Sequence, residues 1–305
     1  MPIPKTIKIF KSKKFTWVNA INNSEKEIKY LEKEFKFRSF DLKDCLPPLQ
    51  RPKLISQPDY LFMILLFPVF DRKTRVIHAS EVDFFITPKT LVTVHVNELA
   101  PLNDIFAACE KKTFAPSHLT AMLYEILNQL LLGCFPMLVH ISTDIDNVEN
   151  KLRTEFEKGT ITEILRIKTN IVNLRKSMQP HKQVIRTLVA EAQKIFPTEH
   201  LQLYFDNLVN YTKEIWDLLD NYKDTIDALH ATNVSLIDFR INEIMKTLTI
   251  FSVIVFPLTL LAAIFGMNMS GMPFAGHPHG FWIVLGIMLF GALSLLLFFE
   301  KKKWL

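Results

Sequence analysis

A long stretch near the C-terminus of the chain carries no charged side chain. From Thr247 to Phe299 the sequence contains no Asp, Glu, Lys or Arg. Two apolar runs lie within it, the 18 residues of Leu248–Phe265 and the 19 residues of Phe281–Phe299. A helix of roughly 20 residues crosses the hydrocarbon core of a bilayer. The sequence therefore predicts an α-helical membrane protein with a two-span hairpin.

The residues that flank the two runs predict the orientation of this hairpin. Arg240 and Lys246 precede the first run, and Lys301, Lys302 and Lys303 follow the second. The linker between the runs contains neither Lys nor Arg. Because basic residues are retained on the cytoplasmic side, both termini are predicted to be cytoplasmic. The same rule explains much of the formal charge of +5, which therefore does not indicate a nucleic-acid partner.

The N-terminal part of the chain has the pattern of an α/β domain. Tyr60–Phe70, Val82–Ile86 and Leu91–Val96 are short apolar runs rich in strand-forming residues, and Pro88 and Lys89 provide a turn between the last two. Apolar residues then recur at helical spacing from residue 119 to 130 and from 145 to 152, and a further helix is predicted at 161–177 after Gly159. We expect a small sheet covered on one side by a long antiparallel helical hairpin.

A long helix is predicted to join this domain to the membrane. No Gly or Pro occurs from Thr198 to Phe256, and an uninterrupted helix of that length extends on the order of 90 Å. The predicted organisation is an α/β domain at 1–197, a stalk helix at 198–246, a first membrane helix at 247–266, an external loop at 267–280, a second membrane helix at 281–299 and a basic tail at 300–305.

Four acidic residues share one face of the predicted stalk. They are Asp217, Asp220, Asp224 and Asp227. Their spacing of three, four and three residues aligns them on a helix. A stripe of this kind is usually a solvated surface. The alternative is a site that concentrates divalent cations.

A helical wheel divides the first span into two chemically different faces. One face collects hydroxyls and small side chains: Asn242, Met245, Thr249, Ser252, Phe256, Thr259 and Ala263. The opposite face is aliphatic and aromatic: Ile250, Ile254, Leu258, Leu261 and Phe265. Small residues and hydroxyls occur where helices pack closely in membranes, and they also line water-filled pores. Periodicity alone leaves both interpretations open.

The segment around Gly266-Met267-Asn268 resembles the CorA family of magnesium and cobalt channels. The resemblance includes Asn242-Glu243-Ile244-Met245-Lys246 before the first span, Phe256-Pro257-Leu258-Thr259 within it and the terminal Lys301-Lys302-Lys303-Trp304-Leu305. Arg175 and Pro180 fit the looser pattern of the soluble domain. The resemblance covers the whole layout, and its specific motifs lie between Asn242 and Leu305.

This resemblance implies a homopentamer in the cell (inner) membrane, with a cytoplasmic α/β funnel domain and a central pore lined by the first spans. Mg²⁺, and also Co²⁺ or Ni²⁺, would be imported down the electrochemical gradient, and cytoplasmic Mg²⁺ would close the pore. Gly266, Met267 and Asn268 would form the selectivity filter, where Asn268 holds the hydrated ion through its waters. The matching pore-lining positions are Asn242, Met245, Leu248, Phe256 and Thr259, to which the wheel adds Thr249 and Ser252. Lys301, Lys302 and Lys303 would form a basic collar.

The external loop leaves a second transporter specificity open. Met269–Gly280 has no acidic residue, unlike the loop usual in CorA magnesium channels, and it contains His277 and His279. Imidazole suits zinc, cobalt or nickel better than magnesium, although a histidine pair in a loop is more often plain surface. A zinc transporter of the same superfamily is therefore the alternative.

Other classes of function agree less well with the sequence. A membrane-anchored sensor or scaffold needs one span only and gives no role to the GMN motif. The chain contains no GxxxxGK[ST], HExxH or GxSxG motif. No enzyme activity, resident cofactor or nucleic-acid partner is predicted. Mg²⁺ is expected only as the transported and regulatory ion.

Overall fold

The computed structural model describes residues 3–154, 159–194, 201–267, 273 and 277–304. It contains two compact units, Met1–His230 and Ala231–Leu305. The strands are β1 Ile7–Lys11, β2 Thr16–Ala20, β3 Lys53–Ser56, β4 Leu61–Asp71, β5 Val76–Ile86 and β6 Thr90–His95. The helices are α1 Glu25–Phe35, α2 Ser39–Asp44, α3 Ala100–Glu110, α4 Leu119–Leu132, α5 Phe135–Thr154, α6 Thr160–Met178, α7 His181–Ala192, α8 Leu201–Phe265 and α9 Gly280–Lys301.

The first unit is built on a six-stranded mixed sheet with the order β1-β2-β6-β5-β4-β3. The three predicted strands correspond to β4, β5 and β6, and the predicted turn joins β5 to β6, where Thr87 N–H donates to the carbonyl of Thr90 at 2.9 Å. The pairing of β2 with β6 is parallel, whereas the other pairings are antiparallel. The short strands β1, β2 and β3 were not predicted.

The two faces of the sheet are both buried, which explains why its central strands are nearly continuously apolar. Phe84 packs on the face covered by the longer helices, whereas its neighbour Phe85 packs on the opposite face with Phe37 and Phe62. Side chains alternate between the faces of a strand. A strand covered on both sides must therefore be apolar at odd and even positions alike.

The predicted helical hairpin consists of α5 and α6, and polar side chains attach it to strand β5. Asn170 accepts a hydrogen bond from Ile77 N–H at 2.9 Å and donates to the carbonyl of Arg75 at 3.0 Å. Asn173 donates to the carbonyl of Ile77 at 2.8 Å. Within the hairpin, Arg166 on α6 pairs with a carboxylate of α5 at 2.9 Å. These bonds attach α6 to the N-terminal part of β5, which extends beyond the residues that pair with β6.

The stalk and the first span form one continuous helix, α8, with Pro257 inside it. The predicted boundary after residue 246 therefore does not interrupt the backbone. The first part of α8 belongs to the core of the first unit, where Phe205, Leu208, Ile215, Leu219 and Ile226 are almost completely buried. The compact units divide after His230 rather than near residue 197.

Among the residues that the structure describes, three helical segments are long and apolar enough to cross a membrane by length and composition. The apolar window in Leu119–Arg153 is 44% buried, whereas the windows in Tyr204–Phe265 and Gly280–Lys301 are 6% and 0% buried. Leu119–Arg153 contributes Met122, Ile126 and Leu127 to the core of the first unit. The two exposed windows coincide with the two predicted spans. The predicted fold class is thus confirmed.

Candidate functional site

The first span presents its two predicted faces to different environments. On the aliphatic face Ile250 is 8% exposed, and Ile254, Leu258, Leu261 and Phe265 are half-buried. The opposite face is exposed at Asn242, Met245, Leu248, Thr249, Phe256, Thr259 and Ala263, and half-buried at Ser252. The wheel thus separates the covered side of the span from the side that is free in a single chain.

The hydroxyls on the exposed face all bond back to their own helix. Thr249 donates to the carbonyl of Met245 at 2.7 Å, and Ser252 donates to that of Leu248 at 2.8 Å. Thr259 donates to the carbonyl of Val255 at 2.9 Å. A hydroxyl oxygen keeps two acceptor lone pairs after it donates its proton. The face therefore carries a row of oxygen acceptors that can bind the water molecules around a cation.

An open groove of about 510 Å³ lies along this face. It is lined by Leu248, Thr249, Ser252, Val253, Phe256 and Pro257. Four of these six residues are among the predicted pore-lining positions. The groove is bounded by large apolar side chains and contains the two hydroxyls of Thr249 and Ser252.

Pro257 interrupts the hydrogen-bond ladder inside the span, since it has no N–H to donate four residues back. The carbonyl freed in this way belongs to Val253, a groove residue. The hydroxyls of the span bond to Met245, Leu248 and Val255 instead. The Val253 carbonyl therefore lacks its usual helical N–H donor.

Gly266 closes the C-terminal end of α8. Its N–H donates to the carbonyl of Ala262 at 2.9 Å. The N–H of Met267 donates to the carbonyl of Ile264 at 3.2 Å. A Cβ atom at position 266 would lie 3.1 Å from the Ala262 oxygen, so glycine permits this close turn. The Met267 side chain is 53% exposed. Asn268 lies outside the described residues, and its predicted role stays a prediction.

The acidic stripe on α8 is partly neutralised by cations of the hairpin. Asp227 pairs with Lys168 at 2.6 Å, and Asp220 pairs with Arg175 at 2.8 Å. Hydrogen bonding to Lys168 lowers the pKa of the Asp227 carboxyl. Asp217 and Asp224 are exposed, and Asp224 lies 3.1 Å from its neighbour Lys223.

The stripe does not form a metal cluster within one chain. Among the described residues, no three His, Cys, Asp or Glu side chains converge on a point that could hold an ion. The hairpin cations also keep two of the four carboxylates turned towards α6. The predicted regulatory role of Asp217, Asp220, Asp224 and Asp227 therefore depends on neighbouring subunits, and it stays a prediction.

Arg175 has a structural role that its position in the sequence did not reveal. Its guanidinium lies over the ring of Trp216, 4.6 Å from the centroid, while it bonds to Asp220. A cation over an indole face adds to the ion pair. The residue therefore joins α6 to α8 by two contacts within the first unit.

A turn stabilised by backbone bonds fixes the basic tail. Trp304 N–H donates to the carbonyl of Phe299 at 3.0 Å, and Lys303 N–H donates to that of Glu300 at 2.9 Å. Lys303 is left-handed, with φ of 57°, and the Trp304 ring stacks on Phe299 at 5.7 Å. This is a Schellman motif with its hydrophobic contact. It orders Lys301, Lys302 and Lys303 at the end of α9.

A buried acidic pair, which was not predicted from the sequence, lies beneath the α2 side of the sheet. Glu81 and Asp83 are two residues apart on β5 and therefore share a face, where Glu81 accepts a hydrogen bond from Gln50 N–H. Burial, followed by the Glu81 charge, raises the pKa of Asp83 well above its usual range. Burial likewise raises the pKa of the nearby Cys45 thiol. Two acids in an otherwise apolar strand were the available signal.

Comparison with known proteins identifies the family. Residues 12–302 match the model of the family described as CorA-like Mg²⁺ transporter protein. The chain belongs to this family. The match includes both compact units, so the family assignment covers the soluble part as well as the spans. It agrees with the resemblance carried by the GMN segment, and it makes the chain a membrane protein of a cation-transporter family rather than an anchored scaffold.

Individual relatives extend over nearly the whole chain. The cobalt/magnesium transport protein CorA of Thermotoga maritima is 27% identical over 297 residues, which are 95% of this chain and 83% of the relative. The complete structure of the CorA magnesium transporter from Methanocaldococcus jannaschii has a TM-score of 0.85 at 21% identity, covering 97% of this chain and 93% of that one. The structural similarity to the Methanocaldococcus jannaschii transporter shows that the present chain has the CorA fold.

A further solved structure shares the fold of the soluble part. The ZntB cytoplasmic domain of Vibrio parahaemolyticus has a TM-score of 0.63 at 12% identity and covers 74% of this chain and 89% of that domain. At this identity the likeness concerns the fold alone. The soluble architecture is therefore not restricted to structures titled CorA.

Proposed function

We propose that this chain assembles as a homopentamer in the cell (inner) membrane and conducts Mg²⁺ inward, with Co²⁺ or Ni²⁺ as further substrates. The observation that carries the proposal is the exposed hydroxyl face of the first span, which leads to the GMN motif. One helix cannot enclose a pore, so several copies of this face are required. Five copies follow from the family resemblance.

The order of side chains along the face agrees with a pore that alternates polar and apolar zones. Asn242 and Met245 lie at the end nearest the stalk, followed by Leu248 and then the hydroxyls of Thr249 and Ser252. Rings of Met and Leu form constrictions that can gate conduction by excluding water. Thr249 and Ser252 supply acceptors for a hydrated ion on the side of these constrictions that is nearer the GMN motif.

The proposed filter suits an ion that keeps its hydration shell. Magnesium loses water reluctantly, and a ring of Asn268 amide oxygens can hold it through its waters. Neutral ligands also bind weakly enough for the ion to leave, which conduction requires. A divalent ion that crosses a potential of about 100 mV gains roughly 4 to 5 kcal/mol. Import therefore needs no nucleotide hydrolysis.

The termini and the tail agree with this direction of transport. Lys301, Lys302 and Lys303 follow α9, and by the positive-inside rule they favour cytoplasmic termini. The Schellman turn at Lys303 and Trp304 holds their backbone in one conformation. Five copies of these residues would form the basic collar at the cytoplasmic mouth.

We further propose that cytoplasmic Mg²⁺ closes the pore through the acidic stripe. Like charges brought together in a pentamer repel one another, and bound cations offset that repulsion. Depletion of internal Mg²⁺ would then loosen the ring and open the pore. Asp217 and Asp224 are exposed, and among the described residues neither pairs with a cation of α6, so they are the members of the stripe most available as ligands.

Zinc transport is the alternative function, favoured by His277 and His279 in a linker without acidic residues. Competition among Mg²⁺, Co²⁺, Ni²⁺ and Zn²⁺ in proteoliposomes separates the two. Inhibition of Mg²⁺ uptake by Co²⁺ and Ni²⁺, without net Zn²⁺ transport, supports the magnesium channel. Zn²⁺ uptake that Mg²⁺ does not reduce supports the zinc transporter.

The decisive test of conduction is Asn268→Ala in proteoliposomes loaded with a fluorescent Mg²⁺ reporter. Loss of uptake with normal oligomer assembly is expected, because the amide is the polar group of the filter. Asn221→Ala, an exposed position of α8 far from the motif in sequence, is the matched control and should keep its flux. Near-normal Mg²⁺ uptake by Asn268→Ala would remove the residue from the mechanism.

A further inference from the structure

A histidine pair lies on a tight turn at the start of α9. The carbonyl of His277 accepts a hydrogen bond from Gly280 N–H at 2.9 Å, which closes a four-residue turn. Pro278 occupies the second position, and His279 has φ of −110° and ψ of 15°, close to the third position of a type I turn. Because proline fixes its own φ, the backbone between the histidines has little freedom.

The turn holds the two imidazoles side by side and in solvent. Their ring centroids are 6.0 Å apart with an interplanar angle of 52°, and His277, Pro278 and His279 are all exposed. Two rings that share one ion through metal–nitrogen bonds of about 2.0–2.1 Å have centroids roughly 5–6 Å apart. The observed separation therefore needs little adjustment for both rings to reach one ion.

We propose that His277 and His279 bind a divalent transition-metal ion of the borderline class, such as Ni²⁺, Zn²⁺, Co²⁺ or Cu²⁺, at the outer end of α9. Imidazole nitrogen suits these ions, whereas Mg²⁺ prefers oxygen. No Asp, Glu or Cys occurs from Thr247 to Phe299, so the histidines are the strongest ligands in this part of the sequence. Water completes the coordination.

One contact is lost when the metal binds. The backbone N–H of His279 donates to Nδ1 of the His277 ring at 3.2 Å. The neutral His277 ring therefore carries its proton on Nε2. A metal on Nδ1 replaces this long hydrogen bond, and a metal on Nε2 requires the proton to move to Nδ1. The metal binds a neutral imidazole in either case.

The α9 dipole acts weakly against the ion. His279 is the N-cap of α9, and the N-terminal end of a helix disfavours cations. At an exposed terminus this effect is screened by solvent and salt. Direct coordination by two nitrogens outweighs it, and the dipole lowers the affinity without abolishing the site.

The test is Ni²⁺ binding to the purified full-length protein by isothermal titration calorimetry. We expect His277→Ala and His279→Ala each to weaken binding by about tenfold or more, since even the loss of an outer-shell partner costs about 10–100-fold in affinity. His140→Ala, an exposed histidine on α5, should bind Ni²⁺ like the wild type. A tenfold excess of Mg²⁺ should not displace the ion from the wild type.

A spectroscopic measurement identifies the ligands independently of affinity. The electron paramagnetic resonance spectrum of bound Cu²⁺ should show nitrogen couplings in the wild type and lose them in His277→Gln/His279→Gln. Unchanged Ni²⁺ affinity in that double variant, or displacement by Mg²⁺, would overturn the proposal. Flux through the pore is a separate readout, because Asn268→Ala tests conduction and leaves the histidine turn intact.

Discussion

Lys168 on α6 and Asp227 on α8 form an ion pair in which Nζ lies 2.6 Å from Oδ1. Arg175 and Asp220 repeat this connection further along the same two helices at 2.8 Å. Two of the four aspartates of the stripe are therefore paired with basic side chains of the hairpin within one chain. Asp217 and Asp224 have no such partner on α6 in the part of the chain that the structure describes.

This difference predicts unequal roles within the stripe. Replacing all four aspartates by Asn should reduce the dependence of Mg²⁺ flux on internal Mg²⁺. The double variant Asp217→Asn/Asp224→Asn should reproduce most of that effect. We expect the internal Mg²⁺ concentration that gives half-maximal inhibition to shift by at least about fivefold, which is the lower end of the usual range for coupling between two sites. Mg²⁺ flux into proteoliposomes at graded internal Mg²⁺ measures this concentration. Asp206→Asn, exposed on the same helix, is the control. An unchanged midpoint and steepness in the quadruple variant would place the sensor elsewhere.

The two faces of the first span predict a pattern of chemical accessibility. Single Cys substitutions at Thr249, Ser252 and Thr259 should react with a small charged thiol reagent in the conducting state, because water reaches a pore face. Ile254→Cys and Leu261→Cys should react slowly, since these positions lie on the opposite, aliphatic face of the span. The native cysteines are buried and add little background. The reverse pattern would mean that the hydroxyl face packs against other helices and does not line a pore.

Gly266 and Gly286 form a matched pair for testing the end of α8. Gly266→Ala should lower Mg²⁺ uptake about tenfold or more, because the new Cβ would lie 3.1 Å from a backbone oxygen. A tenfold change corresponds to a free-energy penalty of only about 1.4 kcal/mol. Gly286→Ala meets nothing within 4 Å and should stabilise α9 by about 0.5–1 kcal/mol without loss of uptake. Equal uptake by both variants would show that position 266 tolerates a side chain.

The buried acidic pair predicts how stability depends on pH. Burial raises the pKa of Asp83 in the folded protein. The stabilising contribution of its protonated carboxyl to the free energy of unfolding is therefore complete below the usual carboxyl pKa. This contribution is lost as the pH rises through the folded-state pKa. Asp83→Asn cannot ionise, so its melting temperature should fall less than that of the wild type between about pH 5 and about pH 8. Thermal unfolding of the full-length protein measures this, with exposed Asp59→Asn as the control. Parallel pH profiles for wild type and Asp83→Asn would contradict it.

Much of the architecture was predictable because it depends on local pattern. The charge-free stretch defined both apolar helices, and the absence of Gly and Pro defined the continuous helix α8. The strands β4, β5 and β6 were recognisable since burial on both faces makes long parts of them apolar. The strands β1, β2 and β3 have only four or five residues each, and such short runs carry too weak a period to stand out.

The sequence by itself determined that this chain has two membrane spans, a polar face on the first of them and a GMN motif at its end, since these depend on composition and on spacing along one helix. Only the tertiary structure decided which charges are already neutralised. Lys168 and Asp227 are far apart in the chain, and their pairing follows from the packing of α6 on the sheet. The same holds for Asp83, whose ionisation depends on what covers β5. Long-range contacts are selected by burial of the whole core, which no local period encodes.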